Sequence, residues 1–329
     1  MRFKLLTVAL VACTGVVALA VTAKNEISGI AAIAGQQVAQ LVRPDFDIPD
    51  GKPVTEVEVN GEALPMQTWF ATVMPGQELN IALPSGYAMR IDGKFKSRRG
   101  AINAWRAPDI AATTDIVILK PNGDLANQLT VFTLEPAANL RNGRLNGYRI
   151  GAYPKDAAPA GYIRLNGPSD LESKVSPHFR VGQFICKQQP GHWPKYVLVT
   201  PALLTRLESV LTELNQSGRT EADTLFVMSG YRTPFYNTAI RGAKKSRHMY
   251  GDAADVYVDV APNDGVMDDL SGDGRITKTD ANWLFDFASG VFSKREDIPQ
   301  GGIGAYKANA VHGPFVHIDG RGKRARWGR

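Results

Sequence analysis

Two short segments hold the residues best suited to chemistry. Ser246 to Asp255 reads Ser-Arg-His-Met-Tyr-Gly-Asp-Ala-Ala-Asp, and Phe315 to Asp319 reads Phe-Val-His-Ile-Asp. Together they offer the imidazoles of His248 and His317 and the carboxylate of Asp255. These are the ligand types of a catalytic zinc ion, which takes three protein ligands and leaves a fourth position for water. An ion held that way makes water nucleophilic near neutral pH. A lone His is more often a surface or hydrogen-bonded residue, so it is the combination that points to a metal hydrolase.

The flanking residues say how the ligands would be positioned. Ala254 to Val260 reads Ala-Asp-Val-Tyr-Val-Asp-Val. In a strand, Val256, Val258 and Val260 fall on one face and Asp255, Tyr257 and Asp259 on the other. In the second segment Val316 and Ile318 share one face, and His317 and Asp319 the other. Two such strands, with apolar backs and ligand-bearing fronts, can lie side by side in one sheet. His248 stands just upstream of Gly251, which permits a sharp turn.

With those residues in place, the segment from about 175 to 329 resembles the LAS-type zinc peptidases: D-Ala-D-Ala carboxypeptidases, D-Ala-D-Ala dipeptidases and murein endopeptidases. The matching motifs are Ser246-x-His248-x-x-Gly251-x-Ala253-x-Asp255, the upstream Ser229-Gly230-Tyr231-Arg232-Thr233-Pro234, Gly301-Gly302-Ile303-Gly304-x-Tyr306, and the final His317-x-Asp319. The resemblance implies zinc ligands at His248, Asp255 and His317. It also implies that Arg232 holds a substrate oxygen, where a guanidinium stabilises developing negative charge. Many members carry an acid three residues before the last His as general base. Here Pro314 occupies that position, which leaves His312 and Asp319 as the bases. Asp319 can instead orient His317, a common task for a carboxylate behind a metal ligand.

A second metal pattern lies between the two zinc motifs. Asp269, Ser271, Asp273, Thr277 and Asp280 take positions 1, 3, 5, 9 and 12 of a twelve-residue loop, with Gly274 at position 6 and Ile276 at position 8. Oxygen donors at that spacing suit calcium, with Arg275 contributing its backbone carbonyl. The loop resembles an EF-hand or dockerin loop in which Asp280 replaces the usual Glu. No clear entering helix precedes it. The segment with Trp283, Leu284, Phe285, Phe287 and Phe292 is its expected exiting helix. A bound calcium would brace this insertion; the bland reading is an acidic, glycine-rich turn.

The rest of the chain frames these sites. At 329 residues and 44% hydrophobic content it can form two globular domains. Arg2 and Lys4 precede an apolar run from Leu5 to Ala23, read as a signal peptide or membrane anchor spanning 1–23. Residues 24–51 read as a linker. Residues 52–136 read as β-rich, with strand patterns around Val54–Val59, Ile116–Leu119 and Leu129–Leu134 and hairpin signals at Asn60-Gly61 and Pro121-Asn122-Gly123. Trp69, Phe70, Met74 and Trp105 are its expected core, in a small all-β domain of immunoglobulin-like kind. Residues 137–174, rich in Gly, Pro, Asn and Ala, read as a connection with short strands. Residues 175–329 read as an α+β zinc peptidase domain, an antiparallel sheet with flanking helices. In it Thr200-Pro201 starts a helix whose Leu203, Leu204, Leu207, Val210, Leu211 and Leu214 form one apolar stripe, ended by Gly218. Leu225 to Met228 reads as a buried strand.

Composition narrows the partners. The net charge is +6, and five of the last nine residues are basic: Arg321, Lys323, Arg324, Arg326 and Arg329. No nucleic-acid motif accompanies them, so no nucleic-acid partner is expected; attraction to an anionic wall polymer and a plain solvated face are the two readings. Cys13 lies in the leader and leaves Cys186 alone, a buried core thiol. His178 and His192 lack motif partners and read as structural. The expected function is hydrolysis of amide bonds in peptidoglycan stem peptides or cross-links by an exported envelope enzyme, tethered if the leader is retained. The alternatives are a non-catalytic, zinc-stabilised binding module on the same scaffold, for which the missing acid at position 314 speaks, and an envelope adhesion protein, which would leave the zinc residues unexplained.

Overall fold

The computed structural model describes residues 57–96, 101–154, 158–260 and 262–329. The segments read as a signal peptide or membrane anchor (1–23) and as a linker (24–51) lie outside the described residues. Among the described residues no helix is long and apolar enough to cross a membrane.

Residues 57–133 are built from strands and turns. The principal strands are β1 (Thr68–Val73), β2 (Glu78–Leu83), β3 (Ala88–Ile91), β4 (Ala101–Arg106), β5 (Ala112–Leu119) and β6 (Leu125–Thr133). Asn60 and Gly61 both take positive φ, 52° and 82°, and join the short strands Glu58–Val59 and Glu62–Ala63 in a two-residue hairpin, the conformation an Asn-Gly pair favours. These short strands share a sheet with β2 and β4; a second sheet runs β1-β6-β5-β3 and ends on Lys94–Lys96. In β2, Leu79, Ile81 and Leu83 are buried while Glu78 and Asn80 face out. Trp69, Phe70 and Trp105 are buried as expected. Met74 is only half-buried, because it sits in the turn after β1, where its N–H donates to the Gln77 side chain.

The 137–174 stretch contributes a strand to a sheet with the region that follows it. Its strand β7 (Gly161–Leu165) pairs with β8 (Lys195–Val197), well inside the following region. Tyr148, Tyr162 and Tyr196 are fully buried there and pack ring against ring, with centroids about 6 Å apart. Isolated aromatics in a glycine-rich stretch give no periodic signal, yet each removes a large apolar area from water.

The C-terminal sheet positions the chemistry. Its strands are β9 (Phe226–Ser229), β10 (Ala253–Tyr257), β11 (Gly302–Tyr306), β12 (Phe315–Asp319) and β13 (Ala325–Trp327), in the order β9-β10-β12-β11-β13. β9, β10, β12 and β11 pair antiparallel in turn, but β13 runs parallel to β11. Both edges of β12 are already taken by β10 and β11, so the chain leaving β12 must cross to the free edge of β11 and arrives parallel to it. β9 is less buried than its apolar run suggests, with Phe226 38% exposed, because it forms the sheet's other edge.

Helix α1 (Pro201–Gln216) starts where Thr200 accepts the Leu203 N–H, and all six residues of its leucine-rich stripe are buried. It packs against β12 and against α3 (Lys278–Lys294), while the short α2 (Pro234–Ala239) follows the Ser-Gly-Tyr-Arg motif. Truncating one fully buried leucine of that stripe, such as Leu207, costs about 2–5 kcal/mol at sites of this kind. Cys186 is buried, and burial pushes its thiol up to about 11, which suits an inert core residue.

Candidate metal centre

The register of the sheet brings the two motifs together. Asp255 of β10 lies directly opposite His317 of β12, and Ser229 of β9 lies opposite Asp255. His248 enters from a single 3-10 turn, Arg247–Tyr250, that ends at Gly251 with φ 65°. A Cβ on Gly251 would stand 2.3 Å from the Leu198 carbonyl group, so only glycine lets the turn pass so close to its neighbour.

The three side chains converge. His248 Nε2, Asp255 Oδ1 and His317 Nδ1 are 2.9–3.2 Å from one another. A tetrahedral ion bonded at 2.0–2.1 Å has ligand atoms about 3.3 Å apart, close to this triangle. Among the described residues this is the group of three such side chains whose ligand atoms meet within 4.8 Å. All three are buried, between 2% and 8% exposed.

Their hydrogen bonds aim the lone pairs inward. His248 Nδ1 lies 2.7 Å from the Gly230 carbonyl, which can only accept. The Nδ1 therefore carries the proton and Nε2 offers its lone pair. His317 Nε2 lies 3.1 Å from Asp319 Oδ2, so its proton points away from the cluster and Nδ1 points in. A carbonyl and a carboxylate behind two imidazoles is the arrangement that fixes the tautomers of metal-binding histidines. The residues therefore fit a zinc ion.

The protonation directions agree. Burial alone would raise Asp255, but His248 and His317 hold its carboxyl well below the usual range. Burial lowers His248, and Asp255 only partly opposes it. Burial also works against charging His317, yet its bonds to Asp255 and Asp319 win and raise it. The Asp255 carboxylate is thus ionised between the two imidazoles.

Asp319 is saturated. It is fully buried, accepts from Gly302 N at 2.9 Å, and is gripped by the Arg321 guanidinium through Nε and Nη2. Burial opposes its ionisation, but His317, Arg321 and the Gly302 amide hold it far below the usual carboxylate range. It sits on the side of His317 away from the cluster, suited to orienting that ring and poorly suited to taking a proton. His312 differs. It is half-buried, its Nδ1 donates to the Gly313 carbonyl at 2.8 Å, and its Nε2 accepts from the Asn309 amide at 2.8 Å. It shares a cleft of about 440 Å³ with Arg232, Lys187, Tyr236 and Tyr257.

Arg232 is partly committed. Its Nη2 pairs with Asp255 Oδ2, the oxygen turned away from the two histidines, and its Nε donates to Ser229 Oγ at 2.8 Å. Tyr231 N donates to the Phe184 carbonyl, and the hydroxyl of half-buried Tyr153 bridges Tyr231 Oη and the Met249 carbonyl. These bonds tie the Ser-Gly-Tyr-Arg loop to the His248 turn.

Several contributors are not legible in the sequence. The Gly230 carbonyl is backbone and leaves no residue signal. Arg321 belongs to the basic tail, yet its partner is Asp319. The Trp327 ring lies 5.3 Å from His317 and its Nε1 donates to Tyr306 Oη. The one available signal was the Gly-Gly-x-Gly motif. A Cβ on Gly301 would meet the Asp319 carbonyl, one on Gly302 the Asp319 carboxylate and one on Gly304 the Trp327 indole, all within 2.5 Å.

The 269–280 loop is different in kind. Asp269 is exposed and accepts from Gly272, Asp273 and Gly274 amides and from Ser271 Oγ. Asp280 is buried and spends both oxygens on the Ser271 and Thr277 amides, the second as a capping box for α3. Thr277 caps the same helix, and the Arg275 N–H donates to Asp273. Asp269, Asp273 and Asp280 do not converge as the histidine cluster does. His178 and His192 also stand apart from the centre: His178 pairs with buried Glu208, and His192 faces the Asn146 carbonyl.

Comparison with known proteins adds one family. Residues 177–270 match the family described as Peptidase M15, the LAS-type zinc peptidases that the motifs resemble. That span holds Arg232, His248 and Asp255 and ends before His317. No curated protein matches the chain. Among solved structures, the fibronectin(III)-like modules of CbhA from Clostridium thermocellum align at 11% identity over 20% of this chain and 87% of that one, with a TM-score of 0.16.

Proposed function

We propose that the chain is a zinc peptidase that hydrolyses amide bonds of peptidoglycan stem peptides or cross-links, exported to the cell envelope. The observation that carries the reading is the convergence of three lone pairs from His248, Asp255 and His317 in a buried site, within a region matched in part by the peptidase M15 family. Zinc held there supplies a polarised, nucleophilic water. The residues around it divide the remaining work. Gly230 and Asp319 hold the two imidazoles in their ligating tautomers. Asp255 uses one oxygen as ligand and the other to hold Arg232 at the mouth of the cleft. Arg232 turns from that pair toward the substrate carbonyl and stabilises the charge that develops on its oxygen. His312, half-buried in the cleft lining, takes the proton once its Nε2 gives up the Asn309 amide N–H, whereas Asp319 is saturated on the far side of His317.

Digestion of purified peptidoglycan tests this reading, with wild type beside His248→Ala and with zinc restored after chelation. Cleavage that needs zinc and disappears in His248→Ala supports it, and product masses identify the bond. A folded, zinc-loaded protein that cleaves nothing favours the second reading, a zinc-stabilised wall-binding module, which rests on Pro314 standing where many relatives carry an acid. Calcium in the 269–280 loop is a separate proposal. It is supported by residue types and spacing, and its role would be to brace the start of α3.

A further inference from the structure

A cavity of about 450 Å³ shares no residue with the cleft beside the metal centre, and four arginines line it: Arg206, Arg295, Arg324 and Arg326. Arg206 of α1 is the deepest. It is 2% exposed, its Nη1 donates to the Pro299 carbonyl at 2.8 Å, and its guanidinium lies 3.6 Å from the centre of the Phe292 ring. Its Nε is buried without a hydrogen-bond partner. Burial pulls its pKa to about 10, opposed by Asp319 and Asp252, so it is cationic at neutral pH.

The other three cations are compensated to different degrees. Arg295 pairs with Asp297. Arg326 donates to the Ser289 carbonyl at 3.3 Å, and its pKa is lowered by burial and then by the charge of Arg324. Arg324 is exposed and makes no hydrogen bond or ion pair among the described residues. Glu296 is the acid that lines the same space. Four arginines and one acid, Glu296, thus line one concavity; Asp297 pairs with Arg295, Asp319 and Asp252 act on Arg206 and Asp286 on Arg326, which among the described residues leaves Arg324 as the cation with no acid paired to it. Like charges held close destabilise one another, and an anion between them removes that cost. Guanidinium forks match phosphate oxygens in geometry, and several forks lining one concavity suit the many oxygens of a phosphate.

We propose that this cavity is a second ligand site, separate from the metal centre, and that it binds a phosphate-bearing anion through Arg206, Arg324 and Arg326. The test is calorimetric titration of the full chain with inorganic pyrophosphate at low ionic strength. Zinc is removed beforehand so that the metal centre contributes nothing. The expected result is saturable one-site binding that weakens about tenfold in Arg324→Gln and again in Arg326→Gln, each loss being that of one charge-assisted contact. Melting temperatures of both variants without ligand should match wild type, because Arg324 holds no internal bond and Arg326 holds one long one. Sedimentation with phosphatidylglycerol vesicles, against phosphatidylcholine vesicles, separates the sources. Binding to the anionic vesicles that is lost in Arg324→Gln assigns a lipid headgroup; pyrophosphate binding without vesicle binding assigns a soluble or polymeric phosphate. The proposal is overturned if neither pyrophosphate nor anionic vesicles bind, or if both variants bind as wild type does.

Discussion

His248, Asp255 and His317 are buried and turn three lone pairs toward one point, whereas Asp269 and Asp273 lie at the surface with their oxygens directed at nearby amides. Both regions carry metal-ligand residues at suggestive spacings. They differ in what satisfies the ligand atoms. At the centre, outside partners take the outward-facing imidazole nitrogens, and the inner ones face each other and the Asp255 carboxylate. In the loop, backbone N–H groups occupy the carboxylates. Residue type sets which metals a site can prefer, but the direction of the unshared lone pairs sets whether a cation is needed there.

The largest contrast should come from the glycines. Gly251→Ala forces a Cβ into the Leu198 backbone at positive φ and should cost roughly 3 kcal/mol or more, near the top of the usual range for point mutants. Gly274→Ala, at φ 79° with open space around it, should cost only about 1–2 kcal/mol, the left-handed backbone penalty alone. Chemical denaturation of both variants checks the pair; equal costs would break the contrast. Next in size, Asp319→Asn should weaken zinc binding about 10–100-fold, as loss of an orienting partner does elsewhere. Competition with a chromogenic chelator measures it, and the variant's melting temperature separates this from unfolding.

Smaller effects sharpen the comparison. Calcium at about ten times its Kd should add about 1.4 kcal/mol if the loop binds it. A melting temperature that rises with calcium in wild type but not in Asp273→Ala assigns the ion to the loop; no rise removes it from the account. The smallest effect concerns the half-buried His178, which stands apart from the metal centre. Burial lowers the His178 pKa, but Glu208 outweighs it and the net direction is up. A raised folded pKa contributes stability that is fully present below the unfolded value of about 6.5 and is lost as pH rises through the folded value. The stability advantage of wild type over Glu208→Gln should therefore be larger at acid than at alkaline pH. A gap that does not shrink with rising pH would contradict the pairing.

Local patterns were legible in proportion to their periodicity. The stripe and cap of α1, the Asn60-Gly61 hairpin and the pairing of Ile116 with Leu129 all rest on short-range rules and appear where those rules put them. The zinc-ligand types were readable because His248, Asp255 and His317 sit in patterned segments, one before a glycine turn and two on alternating strands. What stayed hidden is non-local or belongs to the backbone. The Gly230 carbonyl carries no residue identity. Arg321 looked like one of five tail cations until the sheet returned it to Asp319. The parallel pairing of β13 follows from the occupied edges of β12, which no local pattern encodes. That the Asp319 carboxylate is already taken up by Gly302, His317 and Arg321 is likewise a three-dimensional fact.

The most direct test is the zinc content of the purified full chain, wild type beside His317→Ala and Asp273→Ala, after dialysis against trace zinc. The account expects one zinc per chain in wild type and Asp273→Ala, and none held tightly in His317→Ala when its circular dichroism shows a folded protein. Zinc retained by folded His317→Ala, or lost from Asp273→Ala, would contradict the assignment of the buried cluster as the metal centre.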